Sequence, residues 1–287
     1  MQLLQVSCNL QARQELRKEQ SKRNLRVISI GSSSSGNSYI VQAGSKNLLV
    51  DVGLAAVRIT KALDSCQIDP EQIDAVLVTH EHIDHVKSVR AIAKKCPNAD
   101  FYASRGTVRA CSNFEHVPDN RLELIKRHDC IDMGDVQIRV FALSHDANEP
   151  IGFSVIADGE QLTIVTDTGI VTPEIYSEMR QADLLVMEAN HEEGMLMYGD
   201  YPYSVKMRIK SDFGHLSNVS AGEVLARLID ERPGKEPLTI MLAHLSDKNN
   251  TPYQARLTIE DILREHGYER DEDYYLSIAA KEGLTEL

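Results

Sequence analysis

The rhythm of apolar and polar positions changes near residue 25. Residues 1–24 carry long polar side chains with little apolar periodicity, and they are expected to form an appended helix or a mobile arm outside the main fold. From Leu25 the chain breaks into short β-branched runs, Val27 to Ile30, Tyr39 to Val41 and Asn47 to Val50, separated by Gly and Ser as in a meander of strands. A helix-like stretch follows from Leu54 to Cys66. The compact apolar strand Ala75-Val76-Leu77-Val78 then ends directly on Thr79-His80, and helical spacing returns at about Lys87 to Lys95. Phe153 to Ala157 and Gln161 to Thr166 flank Asp158-Gly159-Glu160, a hairpin signal. Leu184 to Met187 and Leu238 to Ala243 read as buried strands.

Two later helices carry start signals. Ser220-Ala-Gly-Glu223 reads as a capping box ahead of Val224, Leu225, Leu228 and Ile229. Thr251-Pro252 supplies an N-cap and first-turn proline, Ala255, Ile259, Ile262 and Leu263 the buried stripe, and Gly267 the stop. This order of elements predicts an α/β fold over residues 25–287, two sheets packed face to face with helices outside: a four-layer αββα sandwich.

Composition is that of a soluble globular chain, 42% apolar and 26% charged over 287 residues. No apolar run approaches the roughly 18–20 residues of a membrane span, and the N-terminus is polar, so a cytoplasmic protein is expected. Cys8, Cys66, Cys96, Cys111 and Cys130 include no C-x-x-C pair and are read as reduced thiols, with no thiolate zinc site. The net charge of −12 argues against coating nucleic acid wholesale, although a local basic stripe would suffice. Residues 1–26 hold six Lys/Arg against two Glu, which leaves 25 Lys/Arg against 41 Asp/Glu in an acidic body suited to gathering divalent cations.

The chemistry concentrates just after the apolar strand. His80, His82, Asp84 and His85 lie within six residues, where the chain must turn out into a loop. Imidazoles suit zinc and similar ions, carboxylates harder ones, and the run has no packing benefit beside an apolar strand. His145, Asp167 and His244 stand at other strand ends, where sites of layered α/β folds assemble. Asp51 is a further strand-end carboxylate, placed to brace the histidine loop. His116, His128 and His266 read as structural or surface residues.

His80-Glu-His82-Ile-Asp84-His85 resembles the H-x-H-x-D-H signature of metallo-β-lactamase-fold hydrolases, and Asp51, His145, Asp167 and His244 follow in that superfamily's order. More narrowly, the chain is similar to the YycJ (WalJ) group of bacterial members. That likeness is carried by Gly31-Ser-Ser-Ser-Ser-Gly36-Asn37-Ser38, Ser144-His145-Asp146-Ala-Asn-Glu149-Pro150, Glu188-Ala-Asn190-His191 and Gly214-His215-Leu-Ser217-Asn218. Tyr201-Pro202-Tyr203-Ser204-Val-Lys206-Met-Arg208 and Leu245-Ser246-Asp247-Lys248-Asn249-Asn250 add to it. The latter half also looks like tRNase Z.

The resemblance implies a cytoplasmic phosphodiesterase with two divalent ions, zinc or manganese, and 5′-3′ exonuclease activity on DNA. It implies that His80, His82 and His145 hold one ion and Asp84, His85 and His244 the other, with Asp167 bridging. Asp84 would also orient the attacking water, and His215 would act as general acid or phosphate contact. His191 is a weaker candidate for touching substrate. Tyr203, Lys206 and Arg208, with Tyr201 and Lys210, read as a strand or loop offering cations and aromatic faces to a single strand of DNA. Gly31 to Ser38 lacks the ending of a nucleotide phosphate loop and is expected to line the rim. The competing classes are an RNA-processing nuclease, a thioester or lactone hydrolase on the same metal loop, and a non-catalytic scaffold.

Overall fold

The computed structural model describes residues 24–232 and 236–287, so Cys8 and the expected N-terminal extension, apart from Asn24, lie outside the described residues. The first sheet begins as an antiparallel meander, β1 (Leu25–Ser33), β2 (Gly36–Ala43) and β3 (Lys46–Val50). It continues in parallel with β4 (Ala75–Leu77), β5 (Asp100–Ser104) and β6 (Leu122–Ile125). The second sheet repeats this plan. β7 (Cys130–Asp132), β8 (Val136–Ala142), β9 (Ile151–Ala157) and β10 (Glu160–Val165) form a meander, and β11 (Leu184–Glu188), β12 (Leu238–Ala243) and β13 (Tyr274–Ile278) run parallel beyond it. The last strand, β14 (Thr285–Glu286), returns to the first sheet beside β1.

Helices α1 (Ala56–Ser65), α2 (Ile83–Val86), α3 (Val89–Lys95) and α4 (Arg105–Ala110) cover the outer face of the first sheet. On the second sheet, α5 (Pro173–Met179) comes first, then the short pair α6 (Glu193–Tyr198) and α7 (Tyr203–Ile209), then α8 (Asn218–Asp230) and α9 (Pro252–Glu265). Of these, α5, α8 and α9 cover that sheet's outer face. Three buried apolar clusters result, one between the sheets and one under each helical layer. β4 shows why its sequence is apolar without a break. Ala75 and Leu77 enter the cluster between the sheets, Val76 and Val78 the cluster under the helices, so both faces of the strand are buried.

The expected four-layer αββα sandwich is what forms, with three local corrections. α8 starts at Asn218, because Ser217 is the N-cap and its hydroxyl accepts from Ser220 N at 3.1 Å. Ser220 therefore sits inside the first turn and Glu223 is exposed in mid-helix. The helix expected at about Lys87 to Lys95 is two short ones, α2 and α3, broken at Lys87–Ser88, where Ser88 N turns back to Val52 O. The basic run after Tyr201 is the helix α7 rather than a strand or loop: Pro202 precedes it, and Val205 and Ile209, one turn apart, face inward. No helix among the described residues is long and apolar enough to cross a membrane.

Candidate metal centre

The parallel strands bring their C-terminal ends to one edge, and the chemistry gathers there. Asp51 follows β3, His80 lies just past β4, His145 past β8, Asp167 past β10 and His244 past β12, while Glu188 is the last residue of β11. Asp51, Asp167 and His244 all adopt left-handed backbone, with φ of 56°, 60° and 53°. Such values are uncommon for residues with a Cβ and mark sharp turns at the strand ends.

These turns bring ligand atoms together. His80, His82 and His145 form one group with ligand atoms within 4.8 Å of one another, and Asp84, His85 and His244 form another. Asp167 touches both: Oδ1 is 3.4 Å from His244 Nε2 and 3.7 Å from His145 Nε2, and Oδ2 is 3.3 Å from His85 Nε2. His80 Nε2 and Asp167 Oδ2 are buried polar atoms without a hydrogen bond, which a bound cation would satisfy. With histidine and carboxylate donors, the set fits divalent metal.

Carbonyls and carboxylates behind the imidazoles fix their orientation. His145 Nδ1 donates to Gly214 O at 3.1 Å, His85 Nδ1 to Asp51 at 2.7 Å and His244 Nδ1 to Glu188 at 2.9 Å. In each ring this leaves Nε2 facing the centre with a lone pair once its proton is gone. Asp51 also accepts from Thr79 N at 2.9 Å and from the Thr79 hydroxyl, which ties it to the start of the histidine loop. Asn37, from the serine-rich hairpin between β1 and β2, places its amide 3.4 Å from Asp84 Oδ2 and 3.2 Å from His85 Nε2.

The electrostatics follow from crowding. Burial works to raise Asp84 and Asp167, but the neighbouring histidines outweigh it and hold both carboxyls below the usual carboxylate range. His80 is kept neutral by burial and by His85 beside it. Burial would also lower His244, yet Asp167, Asp84 and Glu188 push it up to about 10 in the metal-free protein. His85 is raised likewise against its burial by Asp167, Asp51 and Asp84.

The ligands open into a cleft of about 350 Å³. His215 lines it, with Nδ1 held by Glu188 Oε1 at 2.7 Å. Ser34 does too, so of the Gly31 to Ser38 segment the turn between β1 and β2 reaches the rim, while Ser32, Ser33, Asn37 and Ser38 are buried strand residues. Of the basic run, only Tyr201, Val205, Arg208 and Ile209 line it. Lys206 instead donates to Met197 O at 2.8 Å, tying α7 to α6, and Tyr203 is 70% exposed on the face of α7 turned from the cleft. His191 is corrected more fully: at 2% exposed it is buried behind the cleft, and its neighbour Asn190 faces the opening. His116, His128 and His266 stay outside the centre.

Glu188 is the residue whose role the sequence reading missed. It is fully buried and also accepts from Thr168 N and Leu216 N, at 3.0 and 3.3 Å. The signal was present, since it is a strand-end carboxylate like Asp51 and Asp167.

Comparison with known proteins agrees with this geometry. The profile of the family described as "Beta-lactamase superfamily domain" matches residues 46–233. The chain is 36% identical to the exodeoxyribonuclease WalJ of Streptococcus pneumoniae serotype 2 over 82% of its length and 86% of the relative's. It is 33% identical to the exodeoxyribonuclease YycJ of Bacillus anthracis over 83% and 89%. Among solved structures, the metallo-β-lactamase fold protein YhfI of Bacillus subtilis superposes with a TM-score of 0.66 at 17% identity, covering 91% of this chain and 99% of that one, which speaks to fold. Two sheets ending in one histidine and aspartate cluster, a family profile across most of the domain and relatives aligned over four-fifths of the chain together establish that this protein belongs to the metallo-β-lactamase superfamily.

Proposed function

We propose that this chain is a metal-dependent phosphodiesterase that works as a 5′-3′ exonuclease on single-stranded DNA. The observation that carries the reading is the pair of ligand groups sharing Asp167 inside one cleft, walled on one side by an arginine. Two relatives named as exodeoxyribonucleases, each aligned over more than four-fifths of this chain, support the nucleic-acid substrate.

His80, His82 and His145 would hold one ion, and Asp84, His85 and His244 the other, with Asp167 between them. Zinc or manganese suits the donors. When bound, such ions would supply a nucleophilic water near neutral pH and neutralise charge on the phosphoryl group. Asp84, partly open to the cleft, orients the attacking water. His215, fixed by Glu188 through Nδ1, presents Nε2 to the leaving oxygen and supplies its proton. Arg208 takes up phosphate charge at the wall.

The test is hydrolysis of 5′-labelled single-stranded DNA and RNA by metal-stripped protein restored with manganese or zinc, with Asp84→Asn as the blank. Metal-dependent release of nucleotides from DNA that the variant lacks is expected. Activity on RNA alone would move the reading to RNA processing. Silence on both, with metal bound and a thioester turned over, would replace it with a small-molecule hydrolase.

A further inference from the structure

Asp146 and Arg208 both line the cleft and meet there. Arg208 Nη1 donates to Asp146 Oδ2 at 2.9 Å, while Asp146 Oδ1 lies 3.4 Å from His145 Nε2. One carboxylate thus spans the edge of the histidine cluster and the guanidinium on α7. The two unbridged oxygens of a phosphodiester offer the same pair of acceptors. Among the described residues Asp146 is the guanidinium's one hydrogen-bonding partner.

The pair is open to water, with side chains 30% and 59% exposed, so it is weak and exchanges readily. Nor is it what holds this wall in place. The Ser144 hydroxyl donates to Asp212 O at 2.7 Å, His145 Nδ1 to Gly214 O at 3.1 Å and Gly169 N to Ser144 O at 2.8 Å, and all of these persist without it.

We propose that Asp146 is a specificity-determining residue, an internal stand-in for phosphate that keeps Arg208 engaged until a substrate phosphodiester displaces it. A solitary weak anion must then outcompete a tethered carboxylate, whereas a phosphodiester held at the ligand cluster as well replaces it with two attachments. The inference rests on the phosphodiesterase reading and adds to it the residue that rejects other anions.

A double-mutant cycle tests it: wild type, Asp146→Asn, Arg208→Ala and the double variant, all metal-loaded and checked for metal content. Binding is read by fluorescence anisotropy with a phosphorothioate single-stranded oligonucleotide, and KM and kcat with the unmodified one. Asp146→Asn is expected to tighten binding and lower KM by about 3–10-fold at nearly constant kcat. Arg208→Ala should weaken binding by roughly 10-fold, and in that background Asp146→Asn should change it by less than about 2-fold. An equal gain in both backgrounds would mean general charge repulsion and overturn the proposal. Weaker binding or lost metal in Asp146→Asn would overturn it too, assigning the carboxylate to the metal cluster. If metal-loaded wild type binds no DNA, the phosphodiesterase reading fails. Calorimetric titration of the same four proteins with inorganic phosphate then decides the stand-in role, additive effects overturning it.

Discussion

Gly53 makes the histidine loop sensitive to a single methyl group. A Cβ at this position would fall 1.6 Å from the Asp84 carbonyl oxygen, 2.1 Å from its carbon and 2.7 Å from His85 N. Restoring ordinary contact, about 3.4 Å, requires the two backbones to part by roughly 1.8 Å. Neither side is free to give. Gly53 N is bonded to Asn37 O at 2.9 Å, Val52 N to His85 O at 2.8 Å and Ser88 N to Val52 O at 2.9 Å. Metal ligands tolerate about 0.2 Å, so Gly53→Ala is expected to displace Asp84 and His85 beyond coordination and to release one ion. A displacement of that order lowers turnover by about 10²-fold or more. Val52 and Leu54 on one side and Val86 on the other are anchored in the apolar cluster under the helices, so the loop carrying Asp84 and His85 should yield before the fold does. The assay is metal per chain by elemental analysis, beside nuclease rate and far-UV circular dichroism. A folded Gly53→Ala protein with wild-type metal content and rate would refute the steric reasoning.

Four further outcomes follow from the same geometry. Glu188→Gln removes the charge and sets an amide donor against two of the four N–H groups that its carboxylate accepts, and should cost about 3 kcal/mol, lowering the melting temperature by roughly 6–12 °C; a shift under about 2 °C would count against it. His191 is pushed down to about 4 by burial, so the unfolded chain takes its proton below about pH 6.5 while the folded one refuses it. Stability present at pH 7 should therefore fall by about 3 kcal/mol as the pH drops to 4, and urea midpoints of His191→Gln should show a flatter acid limb. Stripping the metal should lower the melting temperature by about 5–10 °C per ion. Because His244 and His85 are held protonated in the metal-free protein, reloading should release protons and tighten with rising pH, and uptake that does not vary between about pH 6 and 8.5 would contradict this.

The centre was more legible in the sequence than its surroundings because ligand chemistry is local. His80 to His85 fall in one loop and need no tertiary knowledge to be suspected, and strand ends pointed to His145, Asp167 and His244. The buried strands were equally plain, since β4 and β12 are apolar on both faces. Legibility failed where tertiary contacts decide. Alternating charges from Tyr201 to Lys210 looked extended, yet packing of Val205 and Ile209 makes a helix and turns Tyr203 away from the cleft. His191 looked available until the register of β11 and the start of α8 buried it. Asp146 gave no local sign of its partner, which lies 62 residues away.

The left-handed turns at Asp51, Asp167 and His244 bear on how this protein would respond to selection. Each holds a side chain in backbone that glycine adopts freely, at a cost on the order of 1 kcal/mol or more. Together they draw on a noticeable part of the roughly 5–15 kcal/mol that keeps a domain folded. A library screened for heat resistance alone, in the absence of metal and substrate, should therefore enrich glycine or asparagine at these three positions and return robust, inactive proteins. In a lineage freed from the need for catalysis, these turns are where the centre should erode first.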